Sequence, residues 1–406
     1  MRNQIIDDTT RDGAAASTTR LCWHIIASEY PPQIGGVSDY TRGVATALAA
    51  EGDEVHVWCP PYGEQERHAH GVTVHPELGG IRAQDLRRVS RQLDQFPGPK
   101  RILVQWVPHG YGCRSMNVGF CWWLRKRAAQ RKDIVELMVH EPYLPFRLGA
   151  LRQNFAAAVH RLMTILLLRA AHRVWLSIPA WESCLRPYAL GRALPFHWLP
   201  IPSTIPVAKS PSRVAAVRCR LASENTVLIG HLGTYGWPIT SMLEPVLSAL
   251  AGDRQEQALL LMGRGSDIFR EALVRANPSW AAWIHATGEL GPEELSCHVA
   301  ACDLLLQPYP DGVSSRRTSF MVGLSHGKPV VTTSGPLTEN LWAASAAVPM
   351  AIGKTPQIVE LTRRLRDDAQ ERMRFSAAAR KLYEQQFKMT GVVRKLRSAA
   401  ADVPAR

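Results

Sequence analysis

The feature that most restricts the fold is an alternation of short apolar runs with helix-forming runs, which starts twice along the chain. The first series begins with the apolar run 21–28, which is followed by a glycine loop, a helical run and the apolar run 54–59. The second series begins at residues 226–232, after segment 195–206, which contains four prolines. Units of strand, loop, helix and strand build parallel sheets with crossover helices. The sequence therefore predicts an α/β protein of two such halves joined by a proline-rich linker.

Length and composition fit a globular protein with two domains. A chain of 406 residues can form two cores of ordinary size, and 46% hydrophobic with 20% charged residues is typical of a soluble protein. The best candidate for a bilayer span, run 162–168, is too short. Residues 1–20 carry acids and no apolar stretch, so we expect a disordered lead-in and no secretory signal. The eight scattered cysteines lack metal-ligand spacing, which favours a reducing cytoplasm and no metal site.

The formal net charge of +13 favours phosphate-rich ligands or an anionic membrane surface as partners. No acid occurs between Glu141 and Glu182, whereas five arginines do. The run from Trp122 to Arg127 adds tryptophans beside basic residues, a composition that suits a membrane interface. The same composition also suits an ordinary helix whose long side chains cover apolar surface. Nucleic acid is not expected as a partner, because no recognised binding motif is present.

Segment 311–333 contains the best candidate for an anion site. A polar loop leads into two arginines and then into a helical run, 320–325, and a short apolar strand, 330–333. Free backbone N–H groups at a helix N-terminus attract anions, and guanidinium groups bind phosphate with two donors. The candidate ligands are Ser314, Ser315, Arg316, Arg317 and Thr318. The alternative interpretation is a solvated basic turn between two core elements.

Two features of the first half also point to a ligand. The pair Gly35 and Gly36 follows the first predicted strand and would let a ligand approach the backbone closely. His140 ends the predicted strand 134–140, and carboxyl ends of parallel strands border the ligand crevice of open α/β sheets. A tight turn and a structural histidine are the plainer alternatives. The glycine loop lacks the G-x-G-x-x-G pattern, which argues against a dehydrogenase.

Several segments, in this order along the chain, resemble glycosyltransferases of the GT-B fold, family 4 group. The first contains Tyr30-Pro31-Pro32, Gly35-Gly36-Val37 and Tyr40, and the others are GELGPEEL, ACDLLLQPYPDG and GLSHGKPVVTTSG. The resemblance covers about residues 21–387. It implies two Rossmann-like domains that face a cleft, with a C-terminal helix returning to the first domain. The implied division is an acceptor-side domain over 21–203, a donor domain over 204–385 and a C-terminal helix and tail over 386–406.

The resemblance also implies roles for residues at matching positions. His140 and Gly36 would lie at the transferred sugar. The donor diphosphate would be bound by Gly233, by His231 and by residues 314–318, which we call the arginine loop. The base and ribose would contact Gly263, Gly265, Glu289 and Leu290, and the acceptor would lie near Gly35, Gly36, Tyr40 and Glu141. Such enzymes transfer a sugar from a nucleotide-sugar with retention of configuration and need neither a metal nor a cofactor.

This sequence departs from the family pattern at the donor site. The usual arginine and lysine after the first donor-domain strand correspond to His231 and about Trp237, and the two glutamates of E-x7-E correspond to Ser314 and Val322. Valine cannot accept the hydrogen bonds of a ribose. Either Arg316 and Arg317 replace the missing charge, or the donor site has decayed.

The predicted function is therefore transfer of a sugar to a glycan or lipid-linked acceptor. The localisation that follows is cytoplasmic, with possible peripheral contact on the inner face of an anionic membrane. The first alternative is a catalytically decayed partner subunit that binds a nucleotide or glycan. A second alternative is another GT-B enzyme, such as a phosphorylase or an epimerase-like member.

Overall fold

The computed structural model describes residues 20–253, 256–351 and 353–401. The predicted lead-in, apart from Arg20, lies outside these ranges. Two sheets, each flanked by helices, confirm the predicted α/β class with two Rossmann-like domains.

The first sheet has eight strands in the order β3-β4-β2-β1-β5-β6-β7-β8. Its strands are β1 (Cys22–Ala27), β2 (Glu54–Trp58), β3 (His68–Ala69), β4 (Val72–His75), β5 (Arg101–Trp106), β6 (Ile134–Val139), β7 (Ala171–Leu176) and β8 (Phe196–Trp198). The helices of this part of the chain are α1 (Gly36–Ala50), α2 (Ala83–Leu93), α3 (Val118–Gln130), α4 (Leu151–Ala170) and α5 (Trp181–Leu185). All neighbouring strands pair in parallel except β3, which is antiparallel to β4. The continuous apolar runs of the sequence are explained by this arrangement, because helices cover both faces of the sheet.

The second sheet has six parallel strands in the order β11-β10-β9-β12-β13-β14. Its strands are β9 (Val227–Leu232), β10 (Gln257–Met262), β11 (Ile284–Ala286), β12 (Leu304–Gln307), β13 (Val330–Thr333) and β14 (Met350–Ala351). The later helices are α6 (Pro211–Leu221), α7 (Trp237–Leu250), α8 (Ser266–Ala276), α9 (Pro292–Ala301), α10 (Thr318–Ser325), α11 (Asn340–Ser345), α12 (Thr355–Asp367), α13 (Ala369–Gln386) and α14 (Met389–Ala401). Every residue of β10 is buried, as expected for a strand in the middle of such a sheet.

The proline-rich segment 195–206 is more than a linker, and in this respect the sequence prediction was wrong. Its residues Phe196–Trp198 form β8 and pair in parallel with β7. Helix α6 follows shortly after and was not predicted, although Ser210 caps it and Pro211 occupies its first turn. These are ordinary helix-start signals, since a serine oxygen accepts a free N–H and proline lacks the N–H that would go unpaired.

Helix α14 returns to the first domain, as the family resemblance implied. Val392, Val393 and Leu396 are buried in the same core as Val44 of α1. Arg397 of α14 lies 3.3 Å from the buried carboxylate of Asp53. The C-terminal helix therefore completes the hydrophobic core of the first domain.

A buried polar cluster holds the end of α14 against the first sheet. Arg101 on β5 donates to Glu136 on β6 at 2.7 Å and to the carbonyl of Ala400 at 2.9 Å. Arg173 on β7 donates to the carbonyl of Ala399 at 2.7 Å. Cations near the carbonyls of a helix C-terminus are stabilising because these groups carry partial negative charge. The cluster joins three strands to the last turn of α14.

Candidate functional site

The candidate site lies where the loop after β12 meets the carboxyl ends of β6 and β7. The hydroxyl of Ser315 contacts the carbonyl of Ser177 at 2.8 Å, and Ser177 follows β7. Arg316 from the same loop reaches the carboxylate of Glu141, which follows β6, at 3.3 Å. These contacts bring residues from the two domains together at one cleft. Both predicted halves of the site, the arginine loop and the His140–Glu141 segment, border it.

Asp311 links the two arginines. It accepts a hydrogen bond from Arg316 at 2.8 Å and another from Arg317. Two carboxylates, Asp311 and Glu141, therefore face two guanidinium groups. Each arginine Nε–H is buried without a hydrogen-bond partner among the described residues, so both groups retain donor capacity. The arrangement has the cationic donors that a diphosphate needs. Asp311 and Glu141 must release these donors before a diphosphate can bind them.

Aromatic rings support these guanidinium groups. Arg316 lies over the ring of Trp181 at 5.6 Å, and Arg317 lies over the ring of Tyr309 at 4.8 Å. The hydroxyl of Tyr309 is 2.8 Å from that of Ser319 in the first turn of α10. Stacking of this kind stabilises a cation and fixes the plane of its donors.

The serines of the loop are placed differently from each other. Ser315 is buried, and its N–H donates to Glu339 at 2.9 Å while its hydroxyl accepts from Trp198 Nε1 at 3.1 Å. A diphosphate would have to displace these contacts to reach the hydroxyl. Ser314 is also buried, but its hydroxyl has no partner within the described ranges. Thr318 begins α10 and is half-buried. Their phosphate-binding roles stay predictions.

Glu339 is a site residue that sequence reasoning missed. Besides Ser315 it accepts a hydrogen bond from Trp342 Nε1 at 2.6 Å, and it lines an interdomain cavity of about 390 Å³. Its carboxylate thus holds the arginine loop in place through the backbone N–H of Ser315. No pattern in the sequence indicated this, because Glu339 lies in an irregular loop before α11.

His140 follows β6 and lines the cleft as a neutral imidazole. Its Nε2–H donates to the side-chain oxygen of Gln105 at 2.8 Å, and the ring packs edge-on against Tyr40 at 5.1 Å. Burial lowers the pKa of His140 to about 3. A neutral ring of this tautomer offers an acceptor nitrogen to a sugar hydroxyl and carries no charge. Tyr40 is itself buried beside this ring, so we expect it to support His140 and not to contact an acceptor directly.

The two glycines before α1 have different surroundings. A Cβ at Gly35 would overlap the carboxylate of Glu29, whereas a Cβ at Gly36 would meet nothing within 4 Å. Glu29 accepts a hydrogen bond from the N–H of Ser38 at 3.0 Å and so caps the first turn of α1. Gly35 is therefore explained by Glu29, which sequence reasoning also missed. Gly36 leaves open space in which a ligand could approach the backbone.

His231 and Gly233 lie at the end of β9. The imidazole Nδ1–H of His231 donates to the carbonyl of Leu306 at 2.7 Å, and burial lowers its pKa to about 4. Its Nε2 is buried and has no partner in the described part of the chain. At neutral pH this residue therefore supplies an acceptor and no positive charge. Trp237, near which the resemblance implied the second residue of the basic pair, begins α7 and is 80% exposed.

The predicted base and ribose residues are brought together by contacts between glycine loops. Gly263 donates its N–H to the carbonyl of Gly288 at 3.2 Å, and a Cβ at Gly263 would overlap the carbonyl of Gly233. Gly265 has a left-handed backbone and is the N-cap residue immediately before α8. Next to Gly288, the side chain of Glu289 is exposed and that of Leu290 is half-buried. Their contact with a nucleotide stays a prediction.

The arginine loop also depends on a glycine pair. Gly312 has a φ of +85°, and a Cβ there would overlap the N–H of Gly335 and lie 2.7 Å from its Cα. We expect Gly312→Ala to lower the free energy of unfolding by about 2–3 kcal/mol, from left-handed strain and from the clash. Urea unfolding measures this. Gly353→Ala is the control, since its φ is +67° but its Cβ would meet nothing within 4 Å. Equal losses in the two variants would show that the clash contributes nothing.

One group of described residues is close enough to hold a metal ion. It consists of Cys22, Glu54 and His56, whose potential ligand atoms all lie within 4.8 Å of one another. Cys22 and Glu54 begin β1 and β2, so the group lies at the amino ends of these strands, opposite the cleft at the carboxyl ends.

No helix among the described residues is both long and apolar enough to span a bilayer.

Comparison with known proteins gives a partial family match and extensive structural matches. The model of the starch synthase catalytic domain family matches residues 24–99. No curated protein matches the chain. The structure is similar to that of HepE from Anabaena in complex with UDP, at a TM-score of 0.70 and 16% identity, covering 94% of this chain and 100% of that one.

Two further solved structures have the same architecture. Sucrose-phosphate synthase from Thermosynechococcus elongatus matches at a TM-score of 0.69 and 14% identity, covering 94% of this chain and 98% of that one. WaaG, a glycosyltransferase involved in lipopolysaccharide biosynthesis, matches at 0.65 and 16%, covering 94% and 100%. These likenesses span both domains and the cleft between them. The chain therefore has the GT-B fold, an arrangement of two Rossmann-like domains that face a cleft.

Proposed function

We propose that the protein is a glycosyltransferase that moves a sugar from a nucleotide-sugar to a glycan or lipid-linked acceptor, with retention and without a metal. The proposal places it in the family 4 group, in polysaccharide biosynthesis at the cytoplasmic face of a membrane. The observation that carries it is the pair Arg316 and Arg317 at the start of α10, of which Arg316 reaches Glu141 of the first domain across the cleft. The presence of UDP in the similar HepE structure supports a nucleotide-diphosphate donor.

In the proposed reaction the leaving group is a nucleoside diphosphate. Negative charge develops on its oxygens as the sugar departs, and preorganised cations aimed at those oxygens stabilise the transition state. The guanidinium groups of Arg316 and Arg317 and the free N–H groups of α10 fill this role. His140 accepts a hydrogen bond from a hydroxyl of the transferred sugar, and the open space at Gly36 admits the sugar. No side chain is assigned as a general base.

Glu141 connects donor binding with the acceptor. Its carboxylate lies 3.3 Å from Arg316 and 3.8 Å from His109. A diphosphate that takes over Arg316 releases this carboxylate, which is then free to accept a hydrogen bond from an acceptor hydroxyl. Donor binding would in this way prepare the acceptor side.

Val322 favours a second candidate function, that of a nucleotide- or glycan-binding subunit without catalysis. This residue occupies the place of the family glutamate that holds the ribose, and it is buried in the core of the second domain. Its side chain leaves the ribose without that acceptor. Release of free nucleotide from a nucleotide-sugar distinguishes an enzyme from such a subunit.

Ligand-induced stabilisation tests the donor site. We expect one of UDP, GDP or ADP, or a sugar conjugate of it, to raise the melting temperature, with about 2.7 kcal/mol of stabilisation at a concentration 100 times the Kd. Arg316→Ala should weaken that nucleotide by about 10- to 100-fold, because it removes charge-assisted hydrogen bonds.

Arg213→Ala is the matched control for this test, since Arg213 also lies near two carboxylates, those of Glu293 and Glu294 on the surface of the second domain. It should bind the nucleotide like the unmodified protein. Equal affinity of Arg316→Ala and Arg213→Ala would show that Arg316 does not hold the diphosphate. Absence of stabilisation by every nucleotide would contradict the proposed donor site as a whole.

A further inference from the structure

An apolar surface lies beside the cleft on the first domain. Among the described residues, six large and exposed hydrophobic side chains fall within residues 144–162: Leu144, Phe146, Leu148, Leu151, Phe155 and Leu162. They belong to the loop between β6 and α4 and to the first three turns of α4. Concentrated exposed apolar residues mark interaction sites more often than scattered ones do. We name this set the α4 surface.

The spacing within α4 shows that the exposed residues form one stripe. Leu151, Phe155, Ala158 and Leu162 are all exposed and follow each other at intervals of four, three and four residues. Such intervals keep side chains on one face of a helix. The opposite face, with Ala157, His160, Met163 and Leu167, is buried against the first domain. Helix α4 is therefore apolar towards the core and also along its outer face.

The loop before α4 is held in one conformation by side chains of that helix. Asn154 accepts from the N–H of Arg147 and donates to its carbonyl, each at 2.8 Å. Gln153 donates to the carbonyl of Pro145 at 3.0 Å. These bonds keep Phe146 and Leu148 pointing into solvent, where their exposure is 55% and 107%. Exposure of apolar side chains to water is unfavourable in free energy, and burial against a partner would remove this cost.

The charge around this apolar stripe indicates which partner covers it. Arg147 and Arg152 are exposed within it, and Arg161 lies over the ring of Phe146 at 3.9 Å. No acid occurs from residue 142 to residue 181. Apolar side chains flanked only by arginines match the acyl boundary and the anionic headgroups of a bilayer surface. We propose that the α4 surface docks the protein on an anionic membrane, with Phe146, Leu148, Leu151 and Phe155 inserted at the headgroup level.

The position of this surface relates it to the acceptor. Leu144 follows Glu141 of the candidate site after two residues, and the intervening Tyr143 is fixed by donating to the carbonyl of Cys184 at 2.9 Å. A membrane on the α4 surface would thus lie next to the acceptor side of the cleft, where a lipid-linked acceptor enters. This last step rests on the proposed function. Membrane binding itself does not, because it needs no nucleotide or sugar.

Sedimentation with vesicles tests the docking proposal in the absence of nucleotide-sugar. We expect the full chain to bind vesicles of phosphatidylcholine with phosphatidylglycerol and to bind pure phosphatidylcholine more weakly. Added salt should weaken the binding without abolishing it, because insertion of apolar side chains is not screened. Leu148→Glu/Phe155→Glu should reduce the partition coefficient by about 100-fold, since two side chains can no longer be buried.

The matched control is Ile268→Glu/Met373→Glu, which places the same two charges at exposed apolar positions of α8 and α13 in the second domain. It should bind vesicles as well as the unmodified protein. Equal binding by the two double variants, or no binding by the unmodified protein, would overturn the proposal. So would light scattering that shows a dimer which Leu148→Glu/Phe155→Glu converts to a monomer, since a second copy would then cover the surface. Nucleotide-induced stabilisation is measured separately, so failure of docking and failure of the proposed function are distinguishable.

Discussion

Lowering the pH from 7 to 5 is expected to reduce the free energy of unfolding by about 4 kcal/mol through His24 and His231 alone. Burial lowers the pKa of His24 to about 3, with further lowering from the neighbouring His56 and His75, and burial lowers the pKa of His231 to about 4. The unfolded chain protonates both residues below about pH 6.5, whereas the folded chain keeps them neutral. The stabilisation contributed by these two neutral histidines is therefore fully present above about pH 6.5, and it is lost as the pH falls towards their pKa values in the folded chain.

Urea unfolding at both pH values measures this effect. His231→Gln should lose about 2 kcal/mol less than the unmodified protein over the same interval, because one of the two groups is absent. The glutamine amide is still able to donate to the carbonyl of Leu306, which limits any change at pH 7. His109→Gln is the control, since that side chain is 68% exposed. A pH dependence that His231→Gln leaves unchanged would show that this buried histidine is not the source.

Glu136→Ala is expected to lower the free energy of unfolding by about 3–5 kcal/mol, because it leaves the charge of Arg101 buried without its partner. The carboxylate is completely buried, and it accepts from Arg101 and from Trp175 Nε1, both at 2.7 Å. Loss of the acceptor also leaves the tryptophan N–H unpaired. Because Arg101 holds the carbonyl of Ala400, the change should loosen α14 as well.

Two comparisons make this expectation specific. Glu182→Ala removes the partner of Arg186 on the surface and should cost no more than about 1 kcal/mol. Arg101→Met combined with Glu136→Ala should be more stable than Glu136→Ala alone, since the buried charge of Arg101 is then removed together with its partner. Chemical denaturation reports stability, and protease cleavage within α14 reports its release. A loss below about 1 kcal/mol for Glu136→Ala would contradict the assigned role of the buried cluster.

Local patterns predicted many of the elements with close boundaries. The expected helical run 320–325 lies within α10, Thr318–Ser325, and the expected strand 54–59 is β2, Glu54–Trp58. Apolar periodicity, glycine loops and helix-start residues are properties of neighbouring positions, so a single sequence displays them. The error at segment 195–206 arose because strand pairing is not a local property of the sequence. Its prolines indicate a linker locally, but pairing of Phe196–Trp198 with β7 depends on a strand about 20 residues earlier.

The sequence by itself determined the α/β alternation, the two domains and the position of Arg316 and Arg317 before a helix. Only the tertiary structure decided what these arginines face. Asp311 bridges them, and Glu141, which is 175 residues away along the chain, comes within reach of Arg316. The contact between Arg316 and Glu141 depends on strand order and on the packing of one domain against the other, and residue spacing does not encode either. The capacity of a charged side chain to bind phosphate is set by those neighbours and by its burial.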